Sequence, residues 1–147
     1  MKIRYFVTLV ACLFCIATFA QKKSQTSETE FRAKQQSYMS QKAGLTQEES
    51  KHFFPLYFEF QDKKKEINKE AWEIAKQGKK SDTTGAEYEI IIDTFFDNQE
   101  TIAKLEKEYI KKYRKILSPK KIYMIYWAER KFNRNMLKIL QEMNDNE

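Results

Sequence analysis

Glycine and proline are scarce in this chain, which has three glycines and two prolines among its 147 residues. These residues mark most tight turns, so their scarcity leaves little material for a fold made of short strands. No stretch alternates apolar and polar residues for long enough to predict a strand. The sequence therefore predicts an all-α protein, an elongated helical hairpin or bundle of about four helices with heptad-like packing.

Reactive and metal-binding side chains are also rare. His52 is the single histidine, and metal sites generally need several such ligands close together. Both cysteines, Cys12 and Cys15, lie in an N-terminal stretch that we expect to be removed, which would leave no disulfide and no thiolate ligand. The chain contains no Gly-rich phosphate loop, no HExxH and no GxSxG motif. We therefore expect no enzymatic activity, no metal and no other cofactor.

Residues 1–20 have the features of a secretory signal peptide. Lys2 and Arg4 precede a largely apolar stretch from Tyr5 to Ala20, which is short for a membrane span of roughly 20 residues. Cleavage after Ala20 would lower the formal charge from +6 to +4, because residues 1–20 contain these two basic residues and no acidic one. We therefore predict that the chain is exported from the cytoplasm.

The same segment also allows a lipoprotein interpretation. The sequence LVAC, from Leu9 to Cys12, fits a lipobox, and lipidation of Cys12 would anchor the chain to a membrane. The residues after Cys12 stay apolar, however, where a lipidated chain is expected to become polar. Signal cleavage is therefore the preferred prediction, and lipidation at Cys12 is the alternative.

The exported chain is predicted to form one domain. Residues 21–28 are polar and are expected to be disordered, whereas residues 29–147 can bury one moderate core. Pro55 is expected to kink the second helix, because proline removes a helical hydrogen bond. The predicted helices run from Thr29 to Ala43, from Thr46 to about Gly78, from Gly85 to Leu117, and onward from Ser118.

Apolar residues recur every seven positions in these helices, which indicates a heptad-like stripe. The stripe of the third helix is the most regular, so we expect this helix to be central to the packing. We place Phe95 and Ile102 in the core and Phe96 in a seam between two chains. The seven-step positions are Phe53, Phe60, Ile67 and Ile74 in the second helix, and Tyr88, Phe95, Ile102, Tyr109 and Ile116 in the third.

Glu129 occupies the same heptad position of the fourth helix as Ile122 and Met136. A carboxylate at such a position can point towards the core. We expect it to meet a neighbouring Lys or Arg at the edge of the stripe. The alternative is a buried acid that senses pH or conformation.

Two helices begin with the same pair of residues, a leucine followed by a hydroxyl residue. Leu45 precedes Thr46, and Leu117 precedes Ser118. Thr46 is predicted to cap its helix and to form a capping box with Glu49, and Ser118 is predicted to cap the fourth helix. We expect the leucines to pack against the helix starts, and the two starts to meet where the helices cross.

These helix starts, a signal peptide and a basic helical chain together resemble the Spy/CpxP family of periplasmic stress proteins. That family is marked by two LTxxQ motifs at helix starts, which Leu45-Thr46 and Leu117-Ser118 match in their first two positions. Glu49 and Lys121 stand where the family has glutamine, and serine replaces threonine in the second motif. The run FFPLYFEF, followed by LSPKK and AERKF, is similar to the branch found in Bacteroidetes-type bacteria.

The resemblance implies a thin, antiparallel, cradle-shaped homodimer in the periplasm. It implies an ATP-independent, holdase-type chaperone that binds unfolded or partly folded envelope proteins during stress. A concave face rich in aromatic residues and rimmed by Lys and Arg would bind such clients without precise fit. The candidate client-binding residues are Phe54, Phe58, Tyr123 and Trp127.

Two other functions remain open from the sequence. The chain could be a regulatory partner of an envelope-stress sensor kinase or of an anti-sigma factor. It could also contact an anionic membrane peripherally, because its surface is basic. Export makes lipid or protein the expected partners, and nucleic acid is not expected.

Overall fold

The computed structural model describes residues 27–145, in which every regular element is a helix, so the prediction of an all-α fold is confirmed. Helix α2 is followed by a short 3-10 turn, Lys76–Lys79. The predicted signal peptide, the lipobox at Cys12 and residues 21–26 lie outside the described residues. Helix α1 occupies residues 27–43, α2 Gln47–Ala75, α3 Gly85–Tyr113 and α4 Pro119–Asn144.

Helix α1 ends at Ala43, as predicted, and Gly44 follows it. Gly44 has φ +62, a left-handed conformation that glycine adopts without steric cost. The backbone N–H of Leu45 donates to the carbonyl of Ser40 at 3.0 Å, the hydrogen bond of a Schellman motif. This helix already includes Ser27 and Glu28, which the sequence had placed in the disordered segment.

Proline occurs in two of these helices, inside α2 and at the first position of α4. Pro55 lies inside α2, and the helix continues through it. Helix α3 was predicted to reach Leu117, which is wrong, because the helix ends at Tyr113 and a turn follows. Ser118 precedes Pro119 and has the extended conformation that this position favours, with φ −66 and ψ 155. The chain therefore has to leave the helical conformation before α4 begins.

The core lies at one end of the molecule, where all four helices come together. Phe53 is fully buried at its centre, and its ring centroid lies 4.9 Å from that of Tyr113. Among the described residues every buried apolar side chain lies between Met39 and Phe132, so a chain that begins at Gln21 retains all of them. The buried apolar residues are Met39, Ala43, Phe53, Phe54, Tyr57, Phe60, Tyr109, Tyr113, Leu117, Ile122, Ile125, Ala128 and Phe132.

The other end is a hairpin of α2 and α3, formed by residues 61–108 and called the arm below, and only the base of this arm contacts α1 and α4. None of these residues is buried. The amide of Asn98 in α3 donates to the side-chain oxygen of Asn68 in α2 at 3.1 Å, which joins the two helices across the arm. Because α2 and α3 have no further helix of the described residues packed on them along most of the arm, much of their apolar surface remains exposed.

The predicted core of the third helix was wrong. Phe95 lies in the arm with 58% of its surface exposed, and Ile102 is only half-buried. Tyr109 and Tyr113 are the buried residues of α3, at its C-terminal end. The heptad stripe does run along all of α3, but only its last turns reach the end where four helices come together. Helix α3 is therefore not central to the packing in the way its regularity indicated.

Candidate functional site

The two Leu-hydroxyl pairs form the predicted helix caps. The Thr46 hydroxyl accepts from the backbone N–H of Glu49 at 3.1 Å, and the Glu49 carboxylate accepts from the backbone N–H of Thr46 at 2.7 Å. This is the complete capping box. The Ser118 hydroxyl accepts from the backbone N–H of Lys121 at a longer 3.4 Å. Each hydroxyl thus provides an acceptor for one backbone N–H in the first turn of its helix, which has no partner within the helix.

An ion pair joins the two helix starts. The ammonium of Lys121 donates to both carboxylate oxygens of Glu49, at 2.7 and 2.6 Å. These are the two positions at which the resembled family has glutamine, and they are the third residues of α2 and α4. The prediction that the two starts meet is confirmed. The Lys121 ammonium and, after it, the Thr46 N–H hold the pKa of Glu49 below its ordinary value of 4.5.

The leucines of these starts pack on the core. Leu117 is buried in the core cluster together with Ile122, as in a hydrophobic staple between the N′ and N4 positions. Leu45 is half-buried against the same cluster, although the N4 residue of its helix is Ser50 and offers no apolar partner. Both leucines therefore attach the start of their helix to the core.

Another capping box, which was not predicted from the sequence, lies at the far end of the arm. The Thr84 hydroxyl accepts from the backbone N–H of Glu87 at 3.3 Å, and the Glu87 carboxylate accepts from the Thr84 N–H at 2.7 Å. The spacing of a threonine and a glutamate three residues apart would have revealed it. Thr83 stands at the position that leucine holds in the other two starts, and here there is no core to contact.

The caps should contribute unequally to stability. Thr46→Ala removes the hydroxyl of a complete capping box and is expected to lower the free energy of unfolding by about 1 kcal/mol. Ser118→Ala should cost about 0.5 kcal/mol, because its bond is longer and Pro119 already favours the helical φ. Denaturant unfolding at neutral pH measures both, with Ser81→Ala in the loop as the control. Unchanged stability in both cap variants would show that these residues do not act as caps.

Acid should weaken the link between the helix starts. The lowered pKa of Glu49 means that its ionised form stabilises the fold, so this contribution is present above pH 4.5 and is lost as the pH falls through the lowered value. We expect Glu49→Gln to reduce stability at pH 7 and to flatten the loss of stability on acidification. Thermal unfolding between neutral and acid pH measures this effect. Glu100→Gln, at an exposed pair with Lys104, should change the profile less.

Glu129 meets neutral donors, so the predicted Lys or Arg partner was wrong. Its carboxylate accepts from the Tyr57 hydroxyl at 2.8 Å and from the Gln61 amide at 3.0 Å, both on α2. Burial, followed by the charge of Glu129, raises the pKa of Tyr57 and keeps its hydroxyl protonated as a donor. Glu129 therefore ties α4 to α2 at the edge of the core.

The four residues predicted to bind clients do not share a surface. Phe54 is buried in the core, so its assignment to a binding face was wrong. Phe58 is half-buried, and the guanidinium of Arg32 lies 5.2 Å from its ring centroid. Tyr123 and Trp127 are exposed on α4, where the Trp127 indole N–H donates to the Tyr123 hydroxyl at 2.7 Å. Heptad position alone did not separate core from surface here.

A large apolar groove lies on the arm, away from the predicted residues. It has a volume of about 730 Å³ and runs between α2 and α3. The ammonium of Lys79 lies 5.5 Å from the ring centroid of Trp72, at one border of the groove. The sequence signal for this groove was the two adjacent apolar pairs of α3, Ile91-Ile92 and Phe95-Phe96. Adjacent residues point to different sides of a helix, so packing against one neighbouring helix cannot bury both members of a pair. The apolar lining is formed by Ala71, Trp72, Ala75, Ile91, Ile92, Phe95 and Phe96.

The described part of the chain offers neither a cluster of metal ligands nor a membrane-spanning helix. Residues 27–145 contain no cluster of three or more His, Cys, Asp or Glu side chains that could hold a metal ion. His52 is exposed, and its ring nitrogen lies 2.9 Å from the carbonyl of Glu48. No described helix is long and apolar enough to cross a bilayer.

Comparison of the chain with protein-family models, with characterised proteins and with solved structures finds no match.

Proposed function

We propose that this protein is a periplasmic, ATP-independent chaperone of the holdase type, and that it binds apolar segments of unfolding envelope proteins in the groove of the arm. The observation that carries the proposal is the open apolar surface of that groove. Phe95 and Phe96 have 58% and 63% of their surface exposed, and Trp72 is also more than half exposed. Contiguous apolar surface of this kind usually marks an interaction site.

The form of the groove suits partners that have no fixed structure. Its lining is aromatic and aliphatic, so it contributes binding energy by removing apolar surface from water rather than by directional hydrogen bonds. Two cations, Lys69 and Lys79, lie at its border. A site of this chemistry accepts many apolar sequences and keeps the free protein in solution.

A client aggregation assay tests the proposal. A chemically denatured protein is diluted into buffer with and without the chain that begins at Gln21, and no nucleotide is added. Light scattering by the aggregating client should fall in proportion to the amount of added chain. Equal scattering with and without it would remove the chaperone proposal, as would capture of one stoichiometric protein from envelope extract and no general client binding.

We also propose that the chain is a homodimer, as the resemblance implies. The aromatic side chains of the arm exceed what one copy covers, and a symmetric interface buries such surface at low cost. Phe96, the residue assigned to the seam, is exposed but also lines the client groove, so the interface has to leave this side chain accessible to clients. Sedimentation velocity at micromolar concentration should show an elongated dimer. A compact monomer would contradict this prediction and would weaken the comparison with a cradle.

A further inference from the structure

The solvent-facing side of α4 is a separate surface that belongs neither to the core nor to the arm. We call it the α4 face and define it by Tyr123, Trp127, Arg130, Arg134 and Leu137. These residues follow one another at steps of three or four, which places them along one side of the helix. The buried residues of α4 lie on the opposite side, and they are Ile122, Ile125, Ala128 and Phe132.

The charges of α4 are separated between these two sides. Glu129 is the only acidic residue between Pro119 and Gln141, and its carboxylate accepts hydrogen bonds from α2 on the core side. Lys121 is used in the ion pair with Glu49. The other cations of this stretch have no ion-pair partner within residues 27–145, and they are Lys120, Arg130, Lys131, Arg134 and Lys138. Between Pro119 and Gln141 the exposed side of α4 therefore carries cations and no exposed carboxylate.

Aromatic and apolar side chains lie among these cations. Tyr123 and Trp127 have 61% and 54% of their surface exposed and are joined by the hydrogen bond between their polar groups. Trp127 and Leu137 border an open depression of about 530 Å³, together with Arg130, Asn133 and Arg134. Guanidinium groups bind phosphate oxygens through two parallel hydrogen bonds. Tryptophan and tyrosine favour the boundary between water and lipid, where both their apolar and their polar parts are satisfied.

We propose that the α4 face binds the surface of an anionic phospholipid bilayer. Arg130 and Arg134 contact headgroup phosphates, and Tyr123 and Trp127 lie at the level of the headgroups. The proposal rests on charge complementarity, because a cationic side with no exposed carboxylate between Pro119 and Gln141 matches a negatively charged leaflet. Since the α4 face and the arm groove are different surfaces, lipid binding leaves the groove free. The proposal does not depend on chaperone activity.

Vesicle flotation tests the charge requirement. The chain that begins at Gln21 keeps all the buried apolar residues of the described part and excludes the apolar N-terminal stretch, which would itself enter lipid. It should float with vesicles of phosphatidylcholine mixed with phosphatidylglycerol, and not with phosphatidylcholine alone. The double variant Arg130→Gln, Arg134→Gln should bind about 25-fold more weakly, at about fivefold for each cation.

A matched double variant separates the α4 face from general basicity. Lys34→Gln, Lys80→Gln removes the same charge from exposed positions of α1 and the loop. It should retain most of the binding to anionic vesicles. An equal loss in both double variants, or no flotation of the unmodified chain, would overturn the proposal.

The two tryptophans report which surface meets the lipid. Trp72 lies on the arm and Trp127 on the α4 face, and the chain has no other tryptophan. In Trp72→Phe, the fluorescence of Trp127 should shift to shorter wavelength with anionic vesicles, because its ring leaves water. In Trp127→Phe, the fluorescence of Trp72 should not shift. A shift from Trp72 alone would place the arm on the bilayer and overturn the assignment.

A polyanion control distinguishes lipid from nucleic acid, since interleaved cations and aromatic rings also bind single strands. Fluorescence anisotropy of a labelled single-stranded oligonucleotide measures this alternative. Binding to anionic vesicles without comparable binding to the oligonucleotide supports the lipid assignment. Binding to the oligonucleotide and not to the vesicles would replace it.

Discussion

Phe53→Ala is expected to cost about 3–5 kcal/mol of unfolding free energy, the range for a large aromatic residue removed from a packed core. Phe53 is fully buried and packs edge-on against Phe54 and Tyr113, so its loss removes contacts between α2 and α3 and leaves a cavity. For a domain of this size the melting temperature should fall by roughly 10–20 °C. Urea unfolding followed by circular dichroism measures the change directly.

Phe95→Ala is the matched control for this prediction. It removes the same side chain from an equivalent stripe position, but Phe95 lies in the arm and is 58% exposed. The expected cost is below about 1 kcal/mol, as for most substitutions outside the core. Equal losses for Phe53 and Phe95 would show that the arm is packed as tightly as the four-helix end and would contradict the placement of the core.

The double variant Ile92→Ser, Phe96→Ser should abolish most client protection while leaving the fold intact. Both side chains line the groove of the arm, and both are largely exposed, so their removal creates no core cavity. Each apolar side chain buried by a client contributes about 1.5–3 kcal/mol, so the variant should bind clients on the order of 100-fold more weakly. The aggregation assay measures the loss, and the melting temperature confirms that the variant is folded.

Ile90→Ser controls for a general loss of surface hydrophobicity. Ile90 lies on the same helix as Ile92 and is even more exposed, at 59% against 49%, but it does not line the groove. Ile92→Ser alone should weaken client binding about tenfold, whereas Ile90→Ser should have little effect. If the two single variants behave alike, the groove is not the client site and the proposed function loses its main support.

The helices and their starts could be predicted from the sequence because the interactions that define them are local. Thr46 reaches the N–H of a residue three positions away, and Gly44 provides its left-handed conformation by itself. The missed capping box of Thr84 and Glu87 followed the same local rule and was equally accessible. The periodicity of apolar residues likewise depends on neighbours within two turns. All-α class, the approximate helix ends and two of the caps therefore followed from residues close together in the chain.

The burial of each stripe was decided only by the tertiary structure. Periodicity shows which residues share a side of a helix, but not how many helices that side meets. Phe53 and Phe95 occupy similar stripes, yet Phe53 lies where four helices converge and Phe95 lies where only two are present. Phe54 was likewise assigned to the surface and is buried in the core. These errors share one cause, since burial depends on contacts between residues far apart in sequence.

The sequence by itself determined that this chain forms long helices, that Thr46 and Ser118 begin two of them, and that apolar residues line their sides. Only the tertiary structure decided which side chains from different helices contact each other. It joined Glu49 to Lys121 across 72 residues, turned Glu129 towards Tyr57 and Gln61, and left the groove of the arm open. The physical reason is that caps and periodicity act within one or two helical turns, whereas ion pairs and grooves between helices depend on how the helices cross.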